Sequence, residues 1–216
     1  MAPDGELIVS LPSPSLEDPL RRESMKWLSR FIDPLQATGG RVLDLGCGLR
    51  YADAEVLADM GLTVFACDLS LTAAPDNRNV HPFVADISQP LPIGSAAVDV
   101  VLASLSLHYF PWITTTAVVE EFRRVLRPNG LLLVRVNATD DIEHGAGVGE
   151  EVEPNYFDSG GKFGASRKRF FDEAAVLALL GGGFTVQHLR HATTYRFGAA
   201  KQVWECLALS EPCSGD

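Results

Sequence analysis

Three acids and a pair of glycines carry the clearest chemistry in this chain. "VLDLGCG" ends an apolar run in Asp44 and then sets Gly46 and Gly48 on either side of a cysteine. Asp68 closes "VFACD", twenty residues after Gly48, and Asp86 closes "FVAD". Glycine tolerates positive φ and lets a ligand come close to the backbone. A helix starting just past such a turn offers free N–H groups. A carboxylate placed as Asp68 is can accept both hydroxyls of a ribose, and one placed as Asp86 can accept an exocyclic amine of a base. Acids ending three consecutive strands on one rim suit a nucleoside carrying positive charge and suit a pyrophosphate badly. The dinucleotide fingerprint G-x-G-x-x-G would require glycine where Tyr51 stands, which argues against a nicotinamide dehydrogenase.

A second group of candidates follows. "SLSLHYFPW" puts His108 and Tyr109 just past Ser104, where either can serve as a base or touch a substrate. Arg135 and Asn137 end another apolar run and can orient a polar substrate; the alternation in "LLLVRV" equally allows Arg135 a structural role beside an acid. His144 sits in "DDIEHG", and Tyr156, Phe157 and Phe163 either wall an acceptor or anchor their own segment. Glu150, Glu151 and Glu153 read as a solvated face, and so does the basic run from Arg167 to Arg169.

The elements that must position these residues alternate. Leu20 to Ile32 has the apolar spacing of an amphipathic helix. Strands are expected over "RVLDLG", "LTVFACDLS", "VHPFVADI", "AAVDVVLASLSL" and "LLLVRVNA", with helices over Tyr51 to Met60 and Thr114 to Leu126. Asp172 can cap a helix running to Leu180, with Phe171 stapled onto Val176. "FTVQHLRHATTYRF" and "KQVWECLAL" have no helix between them and read as an antiparallel pair closing the sheet. Repeated βα units give an α/β, mostly parallel, doubly wound sheet. The turn after Asp68 is too short and polar for a full crossover helix. Asn137 to Arg169, rich in Gly and acids, reads as a long loop and a lid over the site.

Composition bounds the rest. The 216 residues, 46% hydrophobic, suit one domain from about residue 20 to 216, preceded by a flexible arm over 1–19 that holds four prolines. No apolar run is long enough for a membrane span. The net charge of −10 disfavours extended contact with nucleic acid. Cys47, Cys67, Cys206 and Cys213 form no C-x-x-C pair, so no metal site or disulfide framework is expected, and a cytoplasmic location is.

With these motifs in this order, the chain resembles the class I S-adenosylmethionine-dependent methyltransferases from about Trp27 to Leu209. "VLDLGCG", "VFACDLS", "FVADISQPLPIGSAAVDVVLASLSLHYF" and "EEFRRVLRPNGLLLVRVN" carry the resemblance. It implies a Rossmann-like seven-stranded sheet whose last pair is antiparallel, and S-adenosylmethionine as cofactor. It also implies roles for single residues. Asp44, Gly46 and Gly48 match the motif holding the methionine end, Asp68 the ribose acid, and Leu69 the residue packing on adenine. Asp86 matches the acid meeting the adenine amine, with Ile87 beside it, and Ser104 a backbone contact to the methionine amine. "VRVNATDDIEHGAGVGEEVEPNYF" followed by "KRFFDE" is similar to small tellurite-resistance-type methyltransferases. The expected activity is methyl transfer to a small-molecule O, N or S nucleophile. The alternatives are a protein or peptide side chain as acceptor, or a non-catalytic member of the fold. The sequence departs from the family at Arg50, where a third glycine is usual. Its side chain either leaves toward solvent or pairs with the ligand carboxylate.

Overall fold

The computed structural model describes residues 18–71, 73–195 and 198–212; most of the arm expected over residues 1–19 lies outside them. The first helix, α1 (Pro19–Leu28), begins where a sequence rule places it. Asp18 accepts the N–H of Leu20 at 2.9 Å, and Pro19 takes the first position, where no N–H is needed. The expected single helix is broken. A 3-10 turn at Ser29–Phe31 leads to a short α2 (Ile32–Gln36). Pro34 explains the break, because its ring crowds the carbonyl four residues earlier, at Arg30.

The central sheet is built from β1 (Arg41–Leu45), β2 (Thr63–Asp68), β3 (Val80–Val84), β4 (Val98–Ser104), β5 (Leu126–Asn137), β9 (Phe184–Thr194) and β10 (Lys201–Ser210). Its strand order is β3-β2-β1-β4-β5-β10-β9, with β10 antiparallel to both neighbours. The seven-stranded sheet with an antiparallel last pair is therefore present as expected. Helices α3 (Ala52–Asp59), α4 (Trp112–Val125) and α5 (Glu173–Leu180) complete the layers. Every residue of β4 is buried, as befits a strand covered on both faces. Asp172 caps α5 through Ala175 N–H at 2.7 Å, and Phe171 and Val176 share one core.

The crossover between β2 and β3 contains no helix among the described residues, and α3 holds it in place. Tyr51 Oη donates to the Ala73 carbonyl at 2.8 Å. The buried Glu55 accepts the N–H groups of Asp76 (2.7 Å) and Asn77 (3.2 Å), and Asn77 donates to Asp59 at 3.0 Å. These contacts satisfy backbone groups that a crossover helix would have paired internally.

The long loop expected over Asn137 to Arg169 is instead mostly an antiparallel sheet of β6 (Glu150–Glu153), β7 (Tyr156–Phe163) and β8 (Ala165–Arg169). Its glycines are turn residues. Asn155 (φ 57°) turns β6 into β7, and Gly164 (φ 94°) turns β7 into β8. Arg169 and Glu153, expected in solvent, join this sheet to the segment after β4. Arg169 is buried, pairs with Glu153, and donates to the carbonyls of Pro154 (3.0 Å) and Phe110 (3.3 Å). Its guanidinium lies 4.8 Å from the Tyr156 ring centre and 5.5 Å from that of Trp112. Glu153 also accepts the Trp112 N–H at 2.9 Å, at the start of α4. That bond, with the Arg169 pair, holds its carboxyl below the usual carboxylate range. Among the described residues no helix is long and apolar enough to cross a membrane.

Candidate active site

The carboxyl ends of β1, β2 and β4 open onto one cavity of about 500 Å³, within the usual range for small-ligand sites. Gly46 turns the chain at φ 75°, with its N–H on the Cys67 carbonyl at 2.9 Å. A Cβ there would stand 2.6 Å from the Ser106 Cβ, so only glycine lets the two loops approach so closely. Gly48 (φ 69°) lines the same cavity, and a Cβ there would meet open space. Tyr51, in the position the fingerprint reserves for glycine, takes φ 51° and starts α3.

Seven of the eight expected cofactor residues line this cavity: Gly46, Gly48, Asp68, Leu69, Asp86, Ile87 and Ser104. The eighth, Asp44, is buried beneath the turn and outside the lining. Burial, and after it the Asp44 charge, pushes the Cys67 thiol up to about 12, which keeps that thiol protonated. The Asp68 carboxylate accepts Gly48 N–H at 2.9 Å and Leu69 N–H at 2.8 Å, tying the β2 end to the glycine turn. Asp86 accepts from the Ser88 N–H (2.9 Å) and hydroxyl (2.7 Å), which fixes its rotamer. Leu69 is 68% exposed at the mouth, beside Leu49 at 56%. Two large apolar side chains left in water at a cavity rim suit a flat ring system.

The remaining predicted residues divide. Tyr109 lines the cavity, and burial together with the Asp68 charge raises its phenol, so it stays neutral at ordinary pH. His108 is buried outside the lining, its ring 4.0 Å from that of Tyr109. Burial, helped by the charges of Lys201 and Lys168, lowers its pKa well below 6.5 and keeps the imidazole neutral. Tyr156 is buried and donates to the Tyr109 carbonyl at 3.0 Å, so it supports the cavity wall from behind. His144 is set apart, its Nδ1 2.9 Å from Asp141. Asn137 is fully buried at the end of β5.

Arg135 takes the structural position that its strand alternation allowed. Its guanidinium donates to Ser104 Oγ at 2.8 and 3.1 Å, lies 3.7 Å from Asp53, and stacks 4.5 Å from the Trp27 ring centre. Trp27 in turn donates to Asp53 at 3.2 Å. The guanidinium thus holds the Ser104 side chain and leaves that residue's backbone to the cavity. Arg50 sits at the cavity mouth, 66% exposed, and donates to Asp18 at 3.3 Å. Residues absent from the sequence-based list also line the cavity. Leu20 comes from α1, and Leu105, Ser106 and Phe110 come from the segment after β4. Only Ser106 had a local signal, being two residues past Ser104.

The cavity fits a cationic nucleoside. Asp68 at the end of β2 and Asp86 just past β3 both line it beside the glycine turn, and apolar side chains flank the mouth. Comparison with known proteins agrees. Residues 43–134 match a methyltransferase-domain family. The 27-O-demethylrifamycin SV methyltransferase of Amycolatopsis mediterranei is 36% identical over 112 residues, 46% of this chain and 39% of that protein. The tRNA N(3)-cytidine methyltransferase METTL2 of Gallus gallus is 28% identical over 116 residues, 47% of this chain and 31% of that protein. The matched part thus spans well under half the length of either relative. Among solved structures, the Burkholderia thailandensis 1,6-didemethyltoxoflavin-N1-methyltransferase, with bound 1,6-didemethyltoxoflavin and S-adenosylhomocysteine, superposes with TM-score 0.65. It is 20% identical, over 91% of this chain and 80% of that one, a likeness of fold. The chain thus matches a methyltransferase domain over residues 43–134 and shares the fold of a solved methyltransferase.

Proposed function

We propose that the chain transfers a methyl group from S-adenosylmethionine to a small-molecule acceptor. The observation that carries this is the cavity of about 500 Å³ at the strand ends, a size that suits small ligands. The segment after β4 that forms part of its wall is braced by Arg169, Glu153 and Tyr156 of the β6–β8 sheet. The net charge of −10 adds to the case against nucleic acid. The rifamycin-type relative and the resemblance of the 134–173 region to tellurite-resistance-type enzymes point the same way.

In this assignment Gly46 and Gly48 cradle the amino-acid end, Asp44 stiffens the turn from below, and Asp68 takes the ribose hydroxyls. Asp86 and Ile87 meet the adenine, Leu69 packs on it, and the Ser104 backbone meets the methionine amine. The cofactor supplies an electrophilic methyl on a sulfonium. The protein's part is alignment, which can lower a barrier by roughly 7–11 kcal/mol. The test is to incubate the protein with methyl-labelled S-adenosylmethionine and, separately, small-molecule extract, bulk tRNA and protein. Label in the small-molecule fraction alone is expected; label in tRNA or protein alone would refute the proposal.

A further inference from the structure

A second cavity, of about 620 Å³, opens between the start of α4, α5 and the β6–β8 sheet. Among the described residues it shares no lining residue with the cofactor cavity, and its volume is in the range of small-ligand sites. Trp112, the first residue of α4, forms part of the wall, and Ala174, Ala175 and Ala178 of α5 form another part. The sequence of α5 explains the space. "EAAVLALL" sets alanines at 174 and 178, one turn apart on one helix face, where a larger apolar side chain would fill the gap. Both of these alanines are exposed, and Leu177 beside them, 43% exposed, extends the apolar rim. Apolar surface left in water around a cavity marks a place where something binds.

The charges of the lining are uneven. Arg169 is its single cation among the described residues, against the two carboxylates of Glu153 and Asp172, a net charge of −1. Arg169 and Glu153 pair with each other, and Glu153 also accepts the Trp112 N–H at 2.9 Å. Asp172 is left at the exposed end of α5, where it accepts only the Ala175 N–H, at 2.7 Å. The partial positive charge of that helix end offsets some of the Asp172 charge, but Glu173 in the first turn adds another carboxylate. The whole chain carries −10, so an anion is disfavoured here and a cation favoured.

We infer that this cavity is a second ligand site, and that it takes a flat aromatic ring system carrying one positive charge, such as a protonated nitrogen heterocycle. Trp112 and Phe170 supply aromatic surface for a ring to pack on, and the alanines leave room for it. An indole attracts a cation within about 6 Å of its centre, as Arg169 at 5.5 Å from the Trp112 ring already does. Asp172 at the rim meets the ligand charge. One hydrogen bond separates the two cavities, because Arg169, which lines this one, donates to the carbonyl of Phe110, which lines the other. The site is distinct from the proposed methyl transfer, and its test does not depend on that activity.

The probe is 4-aminoquinoline, a flat cation at neutral pH, with 1-naphthoate as an anion of similar size. The chain has three tryptophans, Trp27, Trp112 and Trp204. Labelling with 5-fluorotryptophan therefore gives three fluorine resonances, and Trp112→Phe identifies the one from Trp112. Titration with 4-aminoquinoline should move that resonance saturably, with a midpoint below about 1 mM; 1-naphthoate should bind at least about tenfold more weakly. Ala174→Leu and Ala178→Leu fill the cavity from a helix that accepts leucine. Each should weaken the response about tenfold or more while keeping the melting temperature within about 2 °C. Asp172→Asn, which keeps a capping side chain, should weaken it about threefold. A Trp112 resonance that does not move, a response that survives in both leucine variants, or equal binding of the two probes would each overturn the inference.

Discussion

Arg169→Met tests whether the small sheet is fastened to the site. The Arg169 side chain is 4% exposed and the Glu153 carboxylate 35%. Removing one partner of a buried ion pair costs about 3–5 kcal/mol when the other is left uncompensated. Here Glu153 is a third exposed and keeps the Trp112 N–H, so solvent and that bond reduce the cost. Two carbonyls, of Pro154 and Phe110, also lose their donor. A net loss of about 2–3 kcal/mol follows, and at about 2–4 °C per kcal/mol for a chain of this size the melting temperature should fall by roughly 4–12 °C. Arg169→Lys, which keeps the charge but not the fork, should fall between. Thermal unfolding followed by circular dichroism reads the shift. Limited proteolysis should show earlier cleavage within 150–169. A variant melting within about 1 °C of the native protein, with an unchanged cleavage pattern, would show that the sheet is held by something else.

Gly46→Ala should lower the melting temperature and weaken S-adenosylhomocysteine binding by about tenfold or more. A positive φ in a non-glycine residue costs about 1–2 kcal/mol, and the new methyl would press on Ser106; calorimetry and thermal unfolding check both. Arg50→Ala should leave that affinity within about twofold, since Arg50 turns to Asp18 and solvent. On the acid side, stability should fall in two stages. His108 is depressed below 6.5 in the folded state, chiefly by burial, so the unfolded chain binds its proton first and stability declines as pH drops below about 6.5. Glu121, held low by Arg124 and then by the Leu91 N–H, and Glu153, held low by Trp112 and Arg169, contribute fully above about 4.5 and lose that contribution as pH falls through their folded values. His108→Gln should flatten the first stage in a melting-temperature profile, and Glu121→Gln part of the second.

The succession of strands and helices and the glycine turn were legible because their signals are local. An apolar run ending in an acid, followed by Gly-x-Gly, specifies a strand, a turn and a helix within ten residues. The closing antiparallel pair was legible from the lack of any helix between two strand-like runs. The small sheet was missed because Gly149, Gly160, Gly161 and Gly164 dilute its apolar pattern, while its stability comes from Arg169 and Tyr156 meeting residues more than forty positions away. The fate of Arg135 likewise depends on Trp27, Asp53 and Ser104, which only the fold assembles. The crossover after β2 was correctly seen as short, but its anchors, Tyr51 and Glu55, sit in the preceding helix and carry no motif. Pairing of the basic run with Asp158 and Glu153 could not be read from charge alone.

The central claim is that the cavity at the ends of β1, β2 and β4 holds S-adenosylmethionine with Asp68 on its ribose. Calorimetric titration of native protein and Asp68→Ala with S-adenosylmethionine tests it most directly. Saturable one-to-one binding is predicted, weakened about tenfold to a hundredfold in the variant, as expected for losing hydrogen bonds to a charged group worth about 1.5–3 kcal/mol. Equal affinity in both proteins would place the cofactor elsewhere, and no binding by the native protein would contradict the account as a whole.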